Sequence, residues 1–551
     1  MENIRFVLIV ILSMISLMLW EAWQTDYGPK TVDGKTATRV VIDSNGNSVK
    51  INSDGSYNGL SSELPFEEQN NQNIITVTTD VFQLEIDTEG GTLRNLDLLN
   101  YSVDKGEDLK IRLLDSRPEK LFLSQSGLLS GSDSVVLPNH NVQLVTTQKN
   151  YTLEANQSTL VIPLTWTDNN GIFYTKNYTF TRGSYLIELS QTVNNQSTKA
   201  WKGRQYTQLI RVPYSDEKGN TFIRTYAGGV VYTEEDKYQK IDFDDMADED
   251  LKVTTKGGWS AMIQHYFATA WIPPIADEQH FFTKELSGAR YVIGSYSNST
   301  IVAVNTEKTF KSQLFVGPKI QPIMEAVAPG LELTVDYSWL TIIAKPIYHL
   351  LNFIHDFIGN WGFSIMGVTL CIKLMFFPLS AASYKSMANM RKLQPRLAQL
   401  KESYGDDRQR FNQEMMDLYR KEKVNPMGGC LPIMVQIPVF ISLYWVLIET
   451  VELRQAPFML WVDDLSVQDP YFVLPVLMGI TMFLQQRLNP APVDPLQAKI
   501  MRMFPIVFTV FFLFFPAGLV LYWVMNNSLS IIQQWYITRK IVGVEPPVND
   551  D

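Results

Sequence analysis

The sequence predicts a polytopic α-helical membrane protein of six spans that carries a large extracytoplasmic β-sandwich domain. Three observations lead there. Long apolar runs gather almost entirely after residue 340. Short runs that alternate apolar and polar residues fill positions 73–335, the period of half-buried strands. Basic residues concentrate in the loops that a six-span count puts on one side of a bilayer.

Composition bounds the possibilities. Of 551 residues, 45% are apolar and 19% charged. The charged share lies below the ~25% of ordinary soluble domains, and the apolar share excludes a wholly disordered chain. A mean hydropathy of −0.05 averages two unlike parts. Residues 1–340 hold 29 Lys+Arg against 41 Asp+Glu, a net charge of −12. Residues 341–551 hold 18 against 16, a net charge of +2. The acidic first part argues against nucleic-acid binding there. Cys371 and Cys430 both sit in apolar segments, so a disulfide framework is excluded. The five histidines form no metal-binding spacing, and no phosphate-binding glycine motif occurs. No metal or cofactor is expected.

The elements follow in order. Residues 1–23 read as an uncleaved signal-anchor span: positions 6–20 lack charge, and Trp20-Glu21-Ala22-Trp23 is an interfacial belt rather than a cleavage site. Residues 24–72 are a polar linker, with a hairpin signal at Asp43-Ser44-Asn45-Gly46. In the β-domain, 73–335, strands are expected at 74–78, 82–86, 109–114, 159–166, 173–180, 185–193 and 291–293, and a helix near 319–327. Residues 336–356 form an interfacial amphipathic helix whose apolar face is Ile343, Ile347, Leu350, Leu351 and Ile354. The membrane core, 357–540, holds spans at 357–379, 428–448, 471–486, 500–515 and 517–536, each near the ~20 residues a bilayer needs. An acidic tail, 541–551, closes the chain.

Loop charge orients these spans. Positions 380–427 carry ten Lys+Arg and belong in the cytoplasm; positions 449–470 carry one Arg and five acids and belong outside. Both termini are then cytoplasmic and the β-domain lies across the membrane.

Lys373 carries the most chemical information. A lysine in mid-span costs roughly 2.5–3.5 kcal/mol on insertion scales, so it either snorkels or faces a wet cavity. Thr369 shares its helix face four residues earlier. Gln436 interrupts the third span, and Asn526, Asn527 and Ser528 the sixth. Polar groups on three spans suggest a shared hydrophilic pocket at Lys373, Thr369, Gln436 and Asn527. Positions 380–427 read as a helical hairpin broken at Tyr404-Gly405-Asp406-Asp407. Its Arg391, Lys392, Arg396, Arg408 and Arg410 are a solvated face obeying the positive-inside rule, or a contact for ribosomal RNA or lipid headgroups.

Longer strings resemble a known family over nearly the whole chain: Lys256-Gly257-Gly258-Trp259, Asn360-Trp361-Gly362-Phe363-Ser364, Lys423-Val424-Asn425-Pro426, Val451-Glu452-Leu453-Arg454-Gln455-Ala456-Pro457-Phe458, and Phe515-Pro516-Ala517-Gly518-Leu519. The chain resembles the YidC membrane protein insertases of Gram-negative bacteria. That resemblance implies an inner-membrane insertase and chaperone that uses no nucleotide and has a five-helix core. It implies a groove open to cytoplasm and lipid, whose basic residue draws in the acidic end of a client. It implies nascent inner-membrane proteins, the Sec translocon with its accessory subunits, the ribosome and the lipid bilayer as partners. It also implies a periplasmic β-domain similar to sugar-mutarotase sandwiches. The family's groove arginine is matched here by Lys373, which keeps the charge without the bidentate fork. The acidic tail replaces a basic one, leaving ribosome contact to the hairpin and the loop around 487–502.

Two other classes compete. A secondary transporter or channel would use Lys373 as its polar site, but the inverted repeat such folds show is not visible. A periplasmic sugar-processing enzyme would rest on His265 and His280, and would leave five further spans without a purpose.

Overall fold

The computed structural model describes residues 39–42, 48–51, 73–130, 138–213, 225–404, 407–422, 424, 431–489 and 495–541. The expected N-terminal span, most of the linker, Cys430 and the acidic tail lie outside them. The described chain divides into a β unit, 39–336 with 449–452, and a helical unit, 337–448 with 453–541.

In the β unit, alternation becomes structure. The seven expected strands are present within two residues at each end, except the last, which extends over Arg290–Ser297. The hairpin read in the linker forms from Arg39–Ile42 and Ser48–Ile51. An eight-stranded sheet is centred on Thr306–Pro318, which pairs with Phe267–Ile272 on one side and Leu186–Asn195 on the other. An eleven-stranded sheet runs through Trp201–Arg211, between Phe122–Ser130 and Arg290–Ser297. Pairing is antiparallel apart from Ile74–Thr78 with Asn150–Thr152. One hydrophobic core draws on both sheets, with Leu189 and Phe315 from the first and Leu84 and Leu209 from the second.

Two short helices complete this unit: α1, Phe243–Asp248, and α2, Gln321–Val327. The second starts two residues later than the sequence suggests. Pro322 takes its first turn, where a missing N–H leaves no intrahelical bond unmade.

The helical unit opens with α3, Thr341–Ile358. Its buried stripe is Ala344, Ile347, Tyr348 and Leu351, while Ile343, Leu350 and Ile354 are only half-buried. Ile347 and Leu351 of the expected apolar face belong to this stripe. Gly359, at φ +69°, ends α3 in the left-handed region, and Asn360 caps α4, Trp361–Met375, by accepting from the Phe363 N–H at 3.1 Å.

The hairpin forms from α5, Phe377–Tyr404, and α6, Arg408–Lys421, with Asp407 capping the second. Four apolar helices follow: α7, Leu431–Glu449; α8, Val473–Leu488; α9, Pro495–Phe512; and α10, Ala517–Tyr536. Among the described residues no single helix is long and apolar enough to cross a membrane. The pair α4 and α5 passes together, bent by 67° at Phe376.

Candidate functional site

The buried face of α4 is Ser364, Ile365, Val368, Thr369 and Lys373, spaced as one stripe. Its last member is the polar problem. Lys373 is 4% exposed, and its ammonium donates to the Ser530 hydroxyl of α10 at 2.8 Å. Ser530 in turn donates to the Asn526 carbonyl at 2.7 Å. Gln533 reaches back from α10 to the Lys373 carbonyl at 3.3 Å, satisfying one of the acceptors that a helix end leaves open. Tyr384 of α5 also hydrogen-bonds Ser530. Among the described residues no carboxylate pairs with Lys373. A buried cation on neutral partners alone is electrostatically unsatisfied and attracts an anion.

The expected companions divide. Thr369 lies buried one turn before Lys373, but its hydroxyl is turned back onto the Ile365 carbonyl at 2.7 Å. Such back-bonding is the usual way a threonine is satisfied inside an apolar helix. Asn527 is buried on α10 and points to α8, donating to Thr481 at 3.4 Å. Gln436 is half-buried on α7 without a described hydrogen bond to Lys373. The polar set is therefore a Lys373–Ser530–Gln533 cluster with Asn527 on an adjoining contact. Ser530 and Gln533 escaped sequence reasoning. Their signal was present: Asn526, Asn527, Ser530, Gln533 and Gln534 recur at three and four along an apolar helix.

The hairpin arginines are placed individually. Arg396 pairs with Glu422 across the hairpin. Arg410 lies over the Tyr404 ring, 5.1 Å from its centroid. Lys392 is exposed, and the Arg408 side chain lies outside the described residues. Arg391 is half-buried and donates to the Arg487 carbonyl at 3.2 Å.

In the β unit, both ring nitrogens of His280 are engaged, by Thr254 at 2.7 Å and Asn298 at 2.9 Å. His265 stacks on Tyr266. A second buried lysine sits here. Lys176 shares the inward parity of Ile172–Thr181 with Tyr174, Tyr178 and Phe180. Its ammonium donates to the Gly90 and Ser126 carbonyls at 2.7 and 2.9 Å, and burial pulls its pKa down to about 7. The His140 ring contacts the Tyr206 hydroxyl, and burial, with the charge of Lys176 second, lowers its pKa to about 4.

Two family models match this chain: one described as the YidC periplasmic domain, over residues 74–350, and one described as the 60Kd inner membrane protein, over residues 353–544. The chain is 55% identical to the membrane protein insertase YidC of Methylococcus capsulatus, over 98% of its own length and 99% of the relative's. It is 48% identical to the YidC insertase of Nitrosococcus oceani, over 98% and 99%. Among solved structures, a crystal structure of an active YidC insertase with its first transmembrane domain resolved aligns at a TM-score of 0.40 and 17% identity, over 85% of this chain and 93% of that one.

Proposed function

The chain belongs to the YidC family of membrane protein insertases, with a periplasmic β-rich domain and a helical C-terminal region, and from that premise we propose that Lys373 is the charge that draws in the polar end of an inserting client. The observation that carries this reading is the buried ammonium whose side-chain partner is the neutral Ser530. An acidic residue at the translocated end of a client supplies the missing countercharge. The client's apolar segment then partitions into lipid, and its burial, not nucleotide hydrolysis, supplies the free energy.

The finer topology belongs to the same proposal. Six spans, the first at the N-terminus and the others built on α4 with the start of α5, α7, α8, α9 and α10, leave both termini and the hairpin in the cytoplasm. The loop charges support that orientation. Thr369, Gln436 and Asn527 line the client path beside Lys373, and water in that path spares a polar tail full desolvation. Arg391, Lys392, Arg396, Arg408 and Arg410 face the ribosome or lipid headgroups. The Sec translocon is a partner for larger clients.

The test is reconstitution of the pure protein into liposomes with a two-span client bearing an acidic periplasmic loop. Protease protection without nucleotide is expected, reduced by Lys373→Ala and retained by Lys373→Arg. Normal protection with the alanine variant removes Lys373 from the mechanism. Saturable solute flux in the same liposomes, without client protection, favours a transporter.

A further inference from the structure

Away from Lys373, the helical unit has a second unbalanced cation. A shallow, solvent-open crevice lies where α5 passes the ends of α8 and α10, lined by Arg391, Leu488, Gln534, Trp535 and Thr538. Arg391 spends one guanidinium N–H on the Arg487 carbonyl and has no carboxylate partner among the described residues. Its burial depresses its pKa, with no opposing contribution from a neighbouring acid. Arg487 and Arg539 stand nearby, each over an aromatic ring on its own stretch of chain, Phe483 at 4.7 Å and Trp535 at 5.6 Å. Gln534 donates to the Leu488 carbonyl and the Asn489 side chain, both at 3.1 Å.

The crevice is therefore cationic at one end and apolar along Leu488 and Trp535. Guanidinium groups match phosphate oxygens in a planar, two-pronged way. Basic pockets between membrane helices on the cytoplasmic side suit anionic headgroups. We propose that this crevice binds the headgroup of one anionic phospholipid, its phosphodiester on Arg391 and the Thr538 hydroxyl and an acyl chain along Leu488 and Trp535. The apolar wall selects a lipid over a free phosphate ion. The site deepens the cytoplasmic assignment of the hairpin and rests on it.

Native mass spectrometry of the full chain in detergent tests this, titrating dioleoylphosphatidylglycerol, dioleoylphosphatidylcholine and inorganic phosphate separately. One phosphatidylglycerol is expected to be retained in preference to phosphatidylcholine. Arg391→Gln weakens retention about fivefold, the worth of ~1 kcal/mol for one interfacial cation. Arg391→Lys weakens it less, and Lys401→Gln on the exposed hairpin leaves it unchanged. Thr538→Val, nearly isosteric, serves if the glutamine variant does not fold, and also weakens retention. Equal retention of the two lipids, no effect of either substitution, or displacement of the lipid by excess inorganic phosphate overturns the site. Insertion assays on the same preparations keep the readings apart. A Lys373→Ala protein that loses insertion yet retains phosphatidylglycerol contradicts neither the site nor the groove charge. Normal insertion by that variant removes the groove charge alone.

Discussion

Ser530 of α10 accepts the Lys373 ammonium of α4 at 2.8 Å, so the buried charge is held by a neutral hydroxyl. The arrangement fixes where the charge sits while leaving it electrostatically available. A carboxylate in place of Ser530 would hold the amine equally well and cancel its field.

Stability and activity should therefore move in opposite directions at position 373. Lys373→Met removes a buried, unpaired charge at similar volume. It is expected to raise the thermal midpoint of the purified protein while lowering insertion of acidic-tailed clients. Thermal unfolding in detergent beside the liposome assay measures both. A lower midpoint would show the ammonium to be well compensated.

Ser530→Ala removes the hydroxyl and keeps the charge. A cost of about 1–3 kcal/mol in stability is expected, the usual penalty for stranding a buried partner, with insertion of acidic-tailed clients retained. Loss of insertion at full stability would assign Ser530 a direct role.

Gly362 packs where a Cβ would come within 2.0 Å of the edge of the Phe458 ring, while Asn360 donates to the Phe458 carbonyl at 2.9 Å and the Pro457 carbonyl at 3.4 Å. Gly362→Ala is expected to destabilise by about 1–3 kcal/mol through overpacking. Phe458→Ala should partly rescue it, giving a double-mutant cycle with clear coupling. Additive effects in thermal unfolding would mean the two residues do not share this contact.

The β-domain should weaken in acid. His140 has a folded-state pKa of about 4, below its unfolded 6.5, so the unfolded chain takes up a proton first as pH falls. The stability contribution is present above pH 6.5 and is lost down to about pH 4. In the limit where this proton alone counts, it falls by up to about 1.4 kcal/mol per pH unit. Hydrogen exchange of the Phe122–Ser130 and Trp201–Arg211 amides in the intact protein reads this, corrected for intrinsic rates. His140→Gln should flatten the dependence between pH 6.5 and 4.5, and an unchanged slope would assign it to other groups.

How much was legible depends on the range of the interactions. Strands such as Phe82–Asp87 follow from alternation, a local pattern, and so appear in the sequence nearly to the residue. The parity that turns Lys176 inward is equally local. Its partners Gly90 and Ser126 lie 86 and 50 residues away, so the lysine's role is not written nearby. Lys373 announced itself by being costly in an apolar run. Ser530 did not, because a serine in such a run is cheap.

The bend at Phe376 has an electrostatic consequence. It ends α4 just after Lys373, placing the ammonium in the helix's last turn. Aligned peptide dipoles leave roughly half a negative elementary charge at such a terminus, spread over its last turn. That diffuse charge eases the burial of the cation, yet it is only a fraction of a full countercharge. The helix end therefore acts as a partial counterion that neutralises too little to silence the lysine, and the residual positive potential stays on the Lys373 ammonium.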